Sequence, residues 1–148
     1  MRCADHALEY RKLADIKPYQ KNPRKNDKAV TAVANSIREY GFQSPIIVDR
    51  DGVIIAGHTR YKAAKRLRLS TVPVIVAAEL TPEQAKELRI ADNSTSEVAE
   101  WDLPVLSAEL AQLTFDPAKF GLPVDLLTPV QPEEPEPEAE EDPLERDR

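Results

Sequence analysis

The segment of this chain most suited to binding a ligand is a short apolar run that turns at a glycine into a basic stretch. It reads Val-Ile-Ile-Ala-Gly-His-Thr-Arg over residues 53–60. The pattern predicts a β-strand that turns at Gly57 into a helix, whose first N–H groups lack intrahelical acceptors and favour an anion such as phosphate. Arg60 would add a charge-assisted contact. A plain connection between strand and helix is the alternative, because such turns are common.

Four further residues carry chemistry of their own. The His58 imidazole is a candidate proton-transfer group near neutral pH, or else a polar cap at a surface turn. Thr59 would either bind phosphate or act as the N-cap of the helix. Asp92 and Asn93 are polar residues near the end of a predicted helix, and by themselves they would simply end it, which Asn does well.

Charge is segregated along the chain. The formal net charge is −6 over 148 residues, yet residues 129–148 hold nine acidic and two basic side chains. Residues 10–69 hold 14 basic and 5 acidic side chains, which favours polyanionic partners such as nucleotides or DNA. Lys62, Lys65 and Arg66 are the candidate DNA-facing residues, although a solvated helix face is the favoured interpretation, because three charges without interleaved aromatic residues are a weak nucleic-acid signal.

Cysteine usage and hydropathy set the broad class. Cys3 is the single cysteine, and no Cys/His cluster has zinc spacing. The sequence has neither a signal-peptide core nor an apolar run of 18 residues. We therefore expect a cytoplasmic protein without a membrane partner.

The elements that must position these residues follow from periodicity and breakers. Strands are predicted at 7–13, 45–49, 53–56 and 73–77, and helices at 27–40, 59–68, from 82 to about 90–93, and 103–113, with one more turn at 116–120. Asp51-Gly52 predicts a hairpin turn, and Thr81 and Gln84 predict a capping box. We expect Trp101 to be a packing anchor for the last helices.

This element order predicts an α/β (α+β) fold, with a small mixed sheet flanked by helices. We expect a nucleotide-binding domain over residues 7–100 and a helical appendage over 101–127. Residues 128–148 are rich in Pro and Glu and have almost no apolar side chains, so we predict a disordered acidic tail.

Four segments, taken together, resemble the ParB-like N-terminal domain of the ParB/sulfiredoxin superfamily over about residues 8–100. They are Asn-Pro-Arg at 22–24, Ser-Ile-Arg-Glu-Tyr-Gly-Phe-Gln-Ser-Pro-Ile at 36–46, Ile-Ala-Gly-His-Thr-Arg at 55–60 and Ala-Asp-Asn at 91–93. The resemblance implies a pocket for CTP or another nucleoside triphosphate with Mg²⁺. The residues it implies for the nucleotide are Arg24, Gln43, Ser44, Gly57, His58, Thr59 and Arg60, with Asp92 and Asn93 for the metal.

The sequence also departs from this family. His58 and Thr59 stand where partition-type ParB proteins carry Glu and Arg, which weakens the case for CTP hydrolysis. Sulfiredoxin places its catalytic cysteine at the position of His58, so sulfiredoxin chemistry is not expected here. The Gly-His-Thr-Arg turn, the segment 80–85 and the segment 91–102 resemble phage and mobile-element ParB-like domains that are often fused to a DNA methyltransferase.

Three hypotheses follow from the residues and the resemblance. The first is a nucleotide-binding module that acts with DNA or a DNA-modifying partner in a phage- or plasmid-type element, with nucleotide binding controlling homodimerisation or docking. The second is a metal-assisted ParB-like DNA nuclease, with His58 as the candidate catalytic residue. The third is a non-catalytic adaptor with a decayed pocket. The chain would be either free-standing or the front of a longer protein.

Overall fold

A computed structural model describes residues 3–4, 6–21, 27–98, 100–114 and 116–122. The strands are β1 (Leu8–Lys12), β2 (Ile46–Val48), β3 (Ile54–Ala56) and β4 (Thr71–Val76). The helices are α1 (Asp27–Tyr40), α2 (His58–Arg66), α3 (Pro82–Val98) and α4 (Leu103–Ala111), with 3₁₀ turns at Leu13–Asp15 and Pro117–Phe120. Arg24 and the predicted tail at 128–148 lie outside the described residues.

The four strands form one mixed sheet in the order β1-β4-β2-β3, which confirms the predicted fold class. β1 pairs with β4 antiparallel from Leu8 opposite Ile75 to Lys12 opposite Thr71, and β2 pairs with β4 in parallel. The β2–β3 hairpin turns at Asp51-Gly52, as predicted, and Gly52 has the positive φ of 79° that such a turn requires.

The sheet is covered on both faces because successive strand residues point to opposite sides. On one face, Ile54, Val72 and Val74 pack with Ala64 of α2, and α1 covers α2 through Val30 and Ala63. On the other face, Ile55 packs with Ala77 and with Ala85 of α3. The two helices that carry the candidate site residues, α2 and α3, are therefore held against β3 from opposite sides.

The predicted capping box at the start of α3 is confirmed. The Thr81 N–H donates to Oε1 of Gln84 at 3.0 Å, and the Gln84 N–H donates to Oγ1 of Thr81 at 3.2 Å. This reciprocal pair fixes the start of α3 and hence the direction in which its later residues run.

Several predicted bounds were wrong in detail. β4 starts at Thr71 instead of 73, because pairing with β1 continues through Pro73 to Thr71. α3 runs to Val98, well past the predicted end, since no Gly or Pro interrupts residues 91–98.

Trp101 is 59% exposed and is not a packing anchor. Within the part of the chain that the structure describes, no helix has the length and apolarity to span a membrane.

Candidate functional site

The turn between β3 and α2 depends on glycine. Gly57 is the N-cap of α2 with φ 108° and ψ 26°, a left-handed conformation that only glycine adopts at low cost. Its carbonyl accepts the first helical hydrogen bond, from the Tyr61 N–H at 2.9 Å. The helix begins at His58, and no side chain caps its N-terminus, so the alternative of Thr59 as the N-cap is wrong. The start of α2 thus has the geometry predicted for an anion site.

Arg60 folds back over this turn. A Cβ on residue 57 would lie 3.1 Å from Nη2 and 3.2 Å from Nε of Arg60, and 3.2 Å from Cγ1 of Ile46. Nη2 donates to the Pro45 carbonyl at 3.0 Å, while the buried Nε has no hydrogen-bond partner. Burial lowers the pKa of Arg60, and the charge of Asp92 partly offsets that effect. The guanidinium remains charged and keeps an unused donor at the turn.

The contact from Arg60 to Pro45 brings the segment before β2 next to the glycine turn. Gln43 and Ser44, the residues implied for the base end of a nucleotide pocket, are both exposed in this segment. Gln43 Nε2 donates to the Tyr40 carbonyl at 2.8 Å, which anchors its side chain against the end of α1. Arg60 therefore links the glycine turn to the segment that contains Gln43 and Ser44.

Asp92 and Asn93 lie inside α3, so the alternative that Asn93 ends the helix is wrong. The negative charge of Asp92 raises the pKa of Arg60 against the lowering effect of burial. The described residues contain no group of three or more His, Cys, Asp or Glu side chains that could hold a metal ion. Any Mg²⁺ near Asp92 would thus take most of its ligands from phosphate oxygens and water.

His58 is held by a residue that the sequence did not suggest. Its Nε2 accepts the main-chain N–H of Tyr19 at 3.1 Å. Burial lowers the pKa of His58 to about 4, and the positive charges of Arg89 and Lys62 act in the same direction. The imidazole is therefore neutral at pH 7 and already uses one nitrogen, which argues against a role as a proton donor near neutral pH.

Arg89 forms a buried network that sequence reasoning missed. Its Nε donates to the Ile54 carbonyl at 2.8 Å, and its Nη2 pairs with Asp49 Oδ2 at 3.1 Å. The guanidinium carbon lies 4.2 Å from the centroid of the Tyr19 ring, in cation–π geometry. Asp49 also accepts the Val53 N–H at 3.0 Å. The network ties α3, the β2–β3 hairpin and the Tyr19 loop together around His58.

The three candidate DNA-facing residues are exposed, and each also makes a local interaction. Lys65 lies 5.9 Å from the centroid of the Tyr61 ring. Arg66 Nη1 donates to Thr31 Oγ1 of α1 at 2.8 Å. Lys62 is near enough to His58 to lower its pKa. Arg66 therefore links α2 to α1, and Lys62 lies beside the turn at Gly57.

Comparison with known proteins identifies the family. The profile of the ParB N-terminal domain matches residues 4–94. The chain is 42% identical over 78 residues to the ParB-like nuclease domain-containing protein YnaK of Escherichia coli, covering 52% of this chain and 90% of YnaK. It is 37% identical over 86 residues to the chromosome-partitioning protein Spo0J of Thermus thermophilus, covering 55% of this chain but 32% of Spo0J.

A solved structure agrees with this assignment. The chromosome-partitioning protein ParB from Caulobacter crescentus, C-terminally truncated and complexed with CTP-gamma-S, superposes with a TM-score of 0.60 at 26% identity. The match covers 70% of this chain and 60% of that chain. The protein thus has a ParB/sulfiredoxin-type fold and belongs to the ParB N-terminal domain family. It spans about a third of the length of the partition protein Spo0J.

Proposed function

We propose that this protein binds a nucleoside triphosphate of the CTP type, with its phosphates on the turn formed by Gly57, His58, Thr59 and Arg60. Family membership and the CTP-gamma-S complex of the Caulobacter relative support a nucleotide ligand. Gln43 and Ser44 would lie toward the base. Arg24, which is not among the described residues, would support the phosphates.

Arg60 carries this proposal. A buried guanidinium that leaves Nε without an acceptor is costly unless a ligand supplies one. A phosphate oxygen in front of α2 would meet this donor and the first N–H groups of the helix together. The close fit of Arg60 over Gly57 also accounts for glycine at this position.

The metal is the less determined part of the proposed site. The Asp92 carboxylate and the Asn93 amide are oxygen ligands of the type that Mg²⁺ accepts. Mg²⁺ usually keeps several waters and binds through one or two carboxylates together with the substrate phosphates. This fits a site in which the Asp92 carboxylate acts on the charge of Arg60, and it predicts that metal affinity depends on the nucleotide.

We infer binding without efficient hydrolysis. A hydrolytic site needs a group that orients or deprotonates the attacking water. His58 is neutral, and its Nε2 is occupied by the Tyr19 N–H, while Thr59 offers only a hydroxyl. The turn therefore has donors for phosphate but lacks an evident base.

Calorimetric titration of CTP, ATP and GTP with Mg²⁺ tests this proposal. We expect saturable binding of at least one of them to the wild type, and a large loss of affinity in Arg60→Ala. Arg38→Ala is the matched control, because Arg38 is an exposed arginine on α1 away from the turn. Thermal unfolding of each variant checks that the fold is intact. Absence of binding, or equal binding by Arg60→Ala, would contradict the proposal.

We further propose that the nucleotide-bound form acts with DNA or with a DNA-modifying partner, such as a DNA methyltransferase, in a phage- or plasmid-type element. The partition-protein relatives and the basic first half of the chain support DNA as a partner. Retention of labelled duplex DNA on a native gel, with and without CTP, tests it. Retention that CTP does not change would leave the nucleotide without an effect on DNA and would contradict this part.

Metal-assisted DNA cleavage is the rival function. The name of YnaK includes a nuclease domain, and YnaK is 42% identical to this chain over the matched residues. However, metal-assisted hydrolysis generally uses several convergent ligands, and the described residues contain no such cluster. Incubation of supercoiled plasmid with Mg²⁺ or Mn²⁺ decides the matter. Nicking that is lost in both His58→Ala and Asp92→Ala would favour the nuclease.

A further inference from the structure

A cavity of about 570 Å³ opens beside the loop that precedes α1. Its lining includes three lysines: Lys17 and Lys21 from the loop, and Lys86 from α3. Pro18, Tyr19 and Val53 give it an apolar floor. Its size is in the range of pockets that bind drug-sized ligands or a few residues of peptide.

The charge of this cavity is not paired with any carboxylate among the described residues. No carboxylate lines it, and none of its three lysines forms an ion pair with any residue that the structure describes. Three like charges around one opening repel each other, so a polyanionic occupant would be favoured. The cavity therefore favours a ligand that combines negative charge with apolar groups or proline rings.

This lysine cavity is separate from the proposed nucleotide site. None of Gly57, His58, Thr59, Arg60, Asp92 or Asn93 lines it. Tyr19 connects the two, since its N–H binds His58 and its ring stacks on Arg89. The same loop residue also lines the cavity, so an occupant there would act on the support of His58.

We propose that the lysine cavity binds the Pro/Glu-rich segment of the same chain, centred on residues 133–138. That segment reads Glu-Glu-Pro-Glu-Pro-Glu, which supplies four carboxylates and two prolines in six residues. Proline-rich peptides dock on aromatic-lined grooves, and the lysines give the matching charge. Both requirements of the cavity are thus met by one segment.

The length of the chain allows this contact. Residues 133–138 lie 11 to 16 positions beyond Leu122, the last described residue, and this stretch spans at most roughly 36 to 55 Å when extended. A domain of about 120 residues has a radius of gyration near 14 Å, so its far side is within reach. Tethering also raises the effective concentration of the segment, which compensates for weak individual contacts.

Binding of the segment would have two consequences: it would compete with polyanions for the basic surface, and it would restrain the Tyr19 loop. The bound segment would neutralise basic surface that would otherwise attract polyanions, and it would hold the Tyr19 loop in the position seen here. This effect does not depend on whether a nucleotide binds at the Gly57 turn, and it is tested without nucleotide.

A spin label in the full chain tests the contact. The label is placed at Ala139→Cys in a Cys3→Ser background, and peak intensities are read from the amides of ¹⁵N-labelled protein. We expect selective loss of intensity at Lys17, Gln20 and Lys86. The loss should disappear at high salt, and also when Glu133, Glu134, Glu136 and Glu138 are all changed to Gln.

Lysine variants supply the control. The combined change Lys17→Ala, Lys21→Ala and Lys86→Ala should remove the selective loss, whereas Lys28→Ala, an exposed lysine on α1, should leave it unchanged. Loss spread evenly over the basic surface, no loss at all, or equal sensitivity to Lys28→Ala would overturn the proposal. A titration with a single-stranded oligonucleotide gives a second test. Equal shifts of the Lys17, Gln20 and Lys86 amides in the wild type and in the fourfold Glu→Gln variant would also overturn the proposal, since the segment would then not occupy the cavity.

Discussion

Tyr19 and His58, 39 residues apart in sequence, are joined by a 3.1 Å hydrogen bond from the Tyr19 N–H to Nε2 of the imidazole. This bond requires the imidazole to be unprotonated at Nε2. It connects the loop before α1 with the first residue of α2, so the protonation of one side chain is coupled to the position of the loop.

The coupling predicts how stability depends on pH. The pKa of His58 is lowered from 6.5 to about 4 in the folded protein, so the unfolded state binds more protons between these values. The stabilisation is complete above pH 6.5 and is lost as pH falls from 6.5 toward 4. Denaturant unfolding at several pH values should show a steeper acid loss in the wild type than in His58→Gln, whose amide oxygen still accepts the Tyr19 N–H.

That difference should persist when both proteins also carry His6→Gln, which removes the only other histidine. Identical slopes for the wild type and His58→Gln would mean that His58 is not held neutral by its surroundings.

Gly57→Ala should destabilise the protein by two effects. A left-handed residue with a Cβ costs about 1–2 kcal/mol, and the new Cβ would also meet Arg60 and Ile46 at 3.1–3.2 Å. Gly41→Ala is the matched control, because Gly41 has φ 83° but its nearest neighbour is the flexible end of Gln43 at 3.5 Å. Chemical denaturation should show the larger loss for Gly57→Ala. Equal losses would show that Arg60 does not crowd the turn.

Arg89→Met should be among the most destabilising single changes in this domain. It leaves the Asp49 carboxylate and the Ile54 carbonyl without their partner, and breaking a buried ion pair on one side costs about 3–5 kcal/mol. Asp49→Asn should also be destabilising, because its amide oxygen can still accept the hydrogen bonds of the hairpin turn but its NH2 group then faces Nη2 of the buried, charged Arg89.

A double-mutant cycle with Arg89→Met and Asp49→Asn measures the interaction between the two. We expect the double variant to be more stable than the sum of the single losses predicts. Strict additivity would show that Arg89 is held by Ile54 and Tyr19 alone.

The turn at Pro117–Phe120 should stabilise α1. The Asn35 side chain donates to the Lys119 carbonyl at 2.8 Å, and the rings of Tyr40 and Phe120 lie 5.8 Å apart. Asn35→Ala should therefore lower the free energy of unfolding by about 1 kcal/mol. Thr31→Ala, also on α1 but bound to Arg66, provides the comparison. Hydrogen exchange at residues 118–122 should rise in Asn35→Ala only; unchanged exchange there would show that the turn does not depend on α1.

Local signals predicted the fold well. The 3.6-residue period gave α1 its observed bounds, and the Asp51-Gly52 turn and the Thr81–Gln84 capping box act within four residues of sequence. Such signals depend on the backbone of one segment, so the sequence contains them in full. The turn from a strand into a helix at Gly57 was predicted for the same reason.

The network around Arg89 could not be predicted in this way. Its contacts with Asp49 and Ile54 join residues 40 and 35 positions apart, and an arginine in the middle of an amphipathic helix usually lies on the solvent face. Only the packing of α3 against the hairpin buries it. The exposed Trp101 shows the opposite error, because residue type alone suggested burial that none of the described elements provides.

Nucleotide contact at the Gly57 turn is the central claim, and amide chemical shifts measured during a CTP titration with Mg²⁺ test it most directly. We predict saturable shifts at His58, Thr59 and Arg60 that are lost in Arg60→Ala, with smaller shifts at Gln20 and Lys86. Shifts confined to Gln20, Lys21 and Lys86 would place the nucleotide in the lysine cavity and would contradict the claim. The absence of any shift at residues 57–60 would contradict it as well.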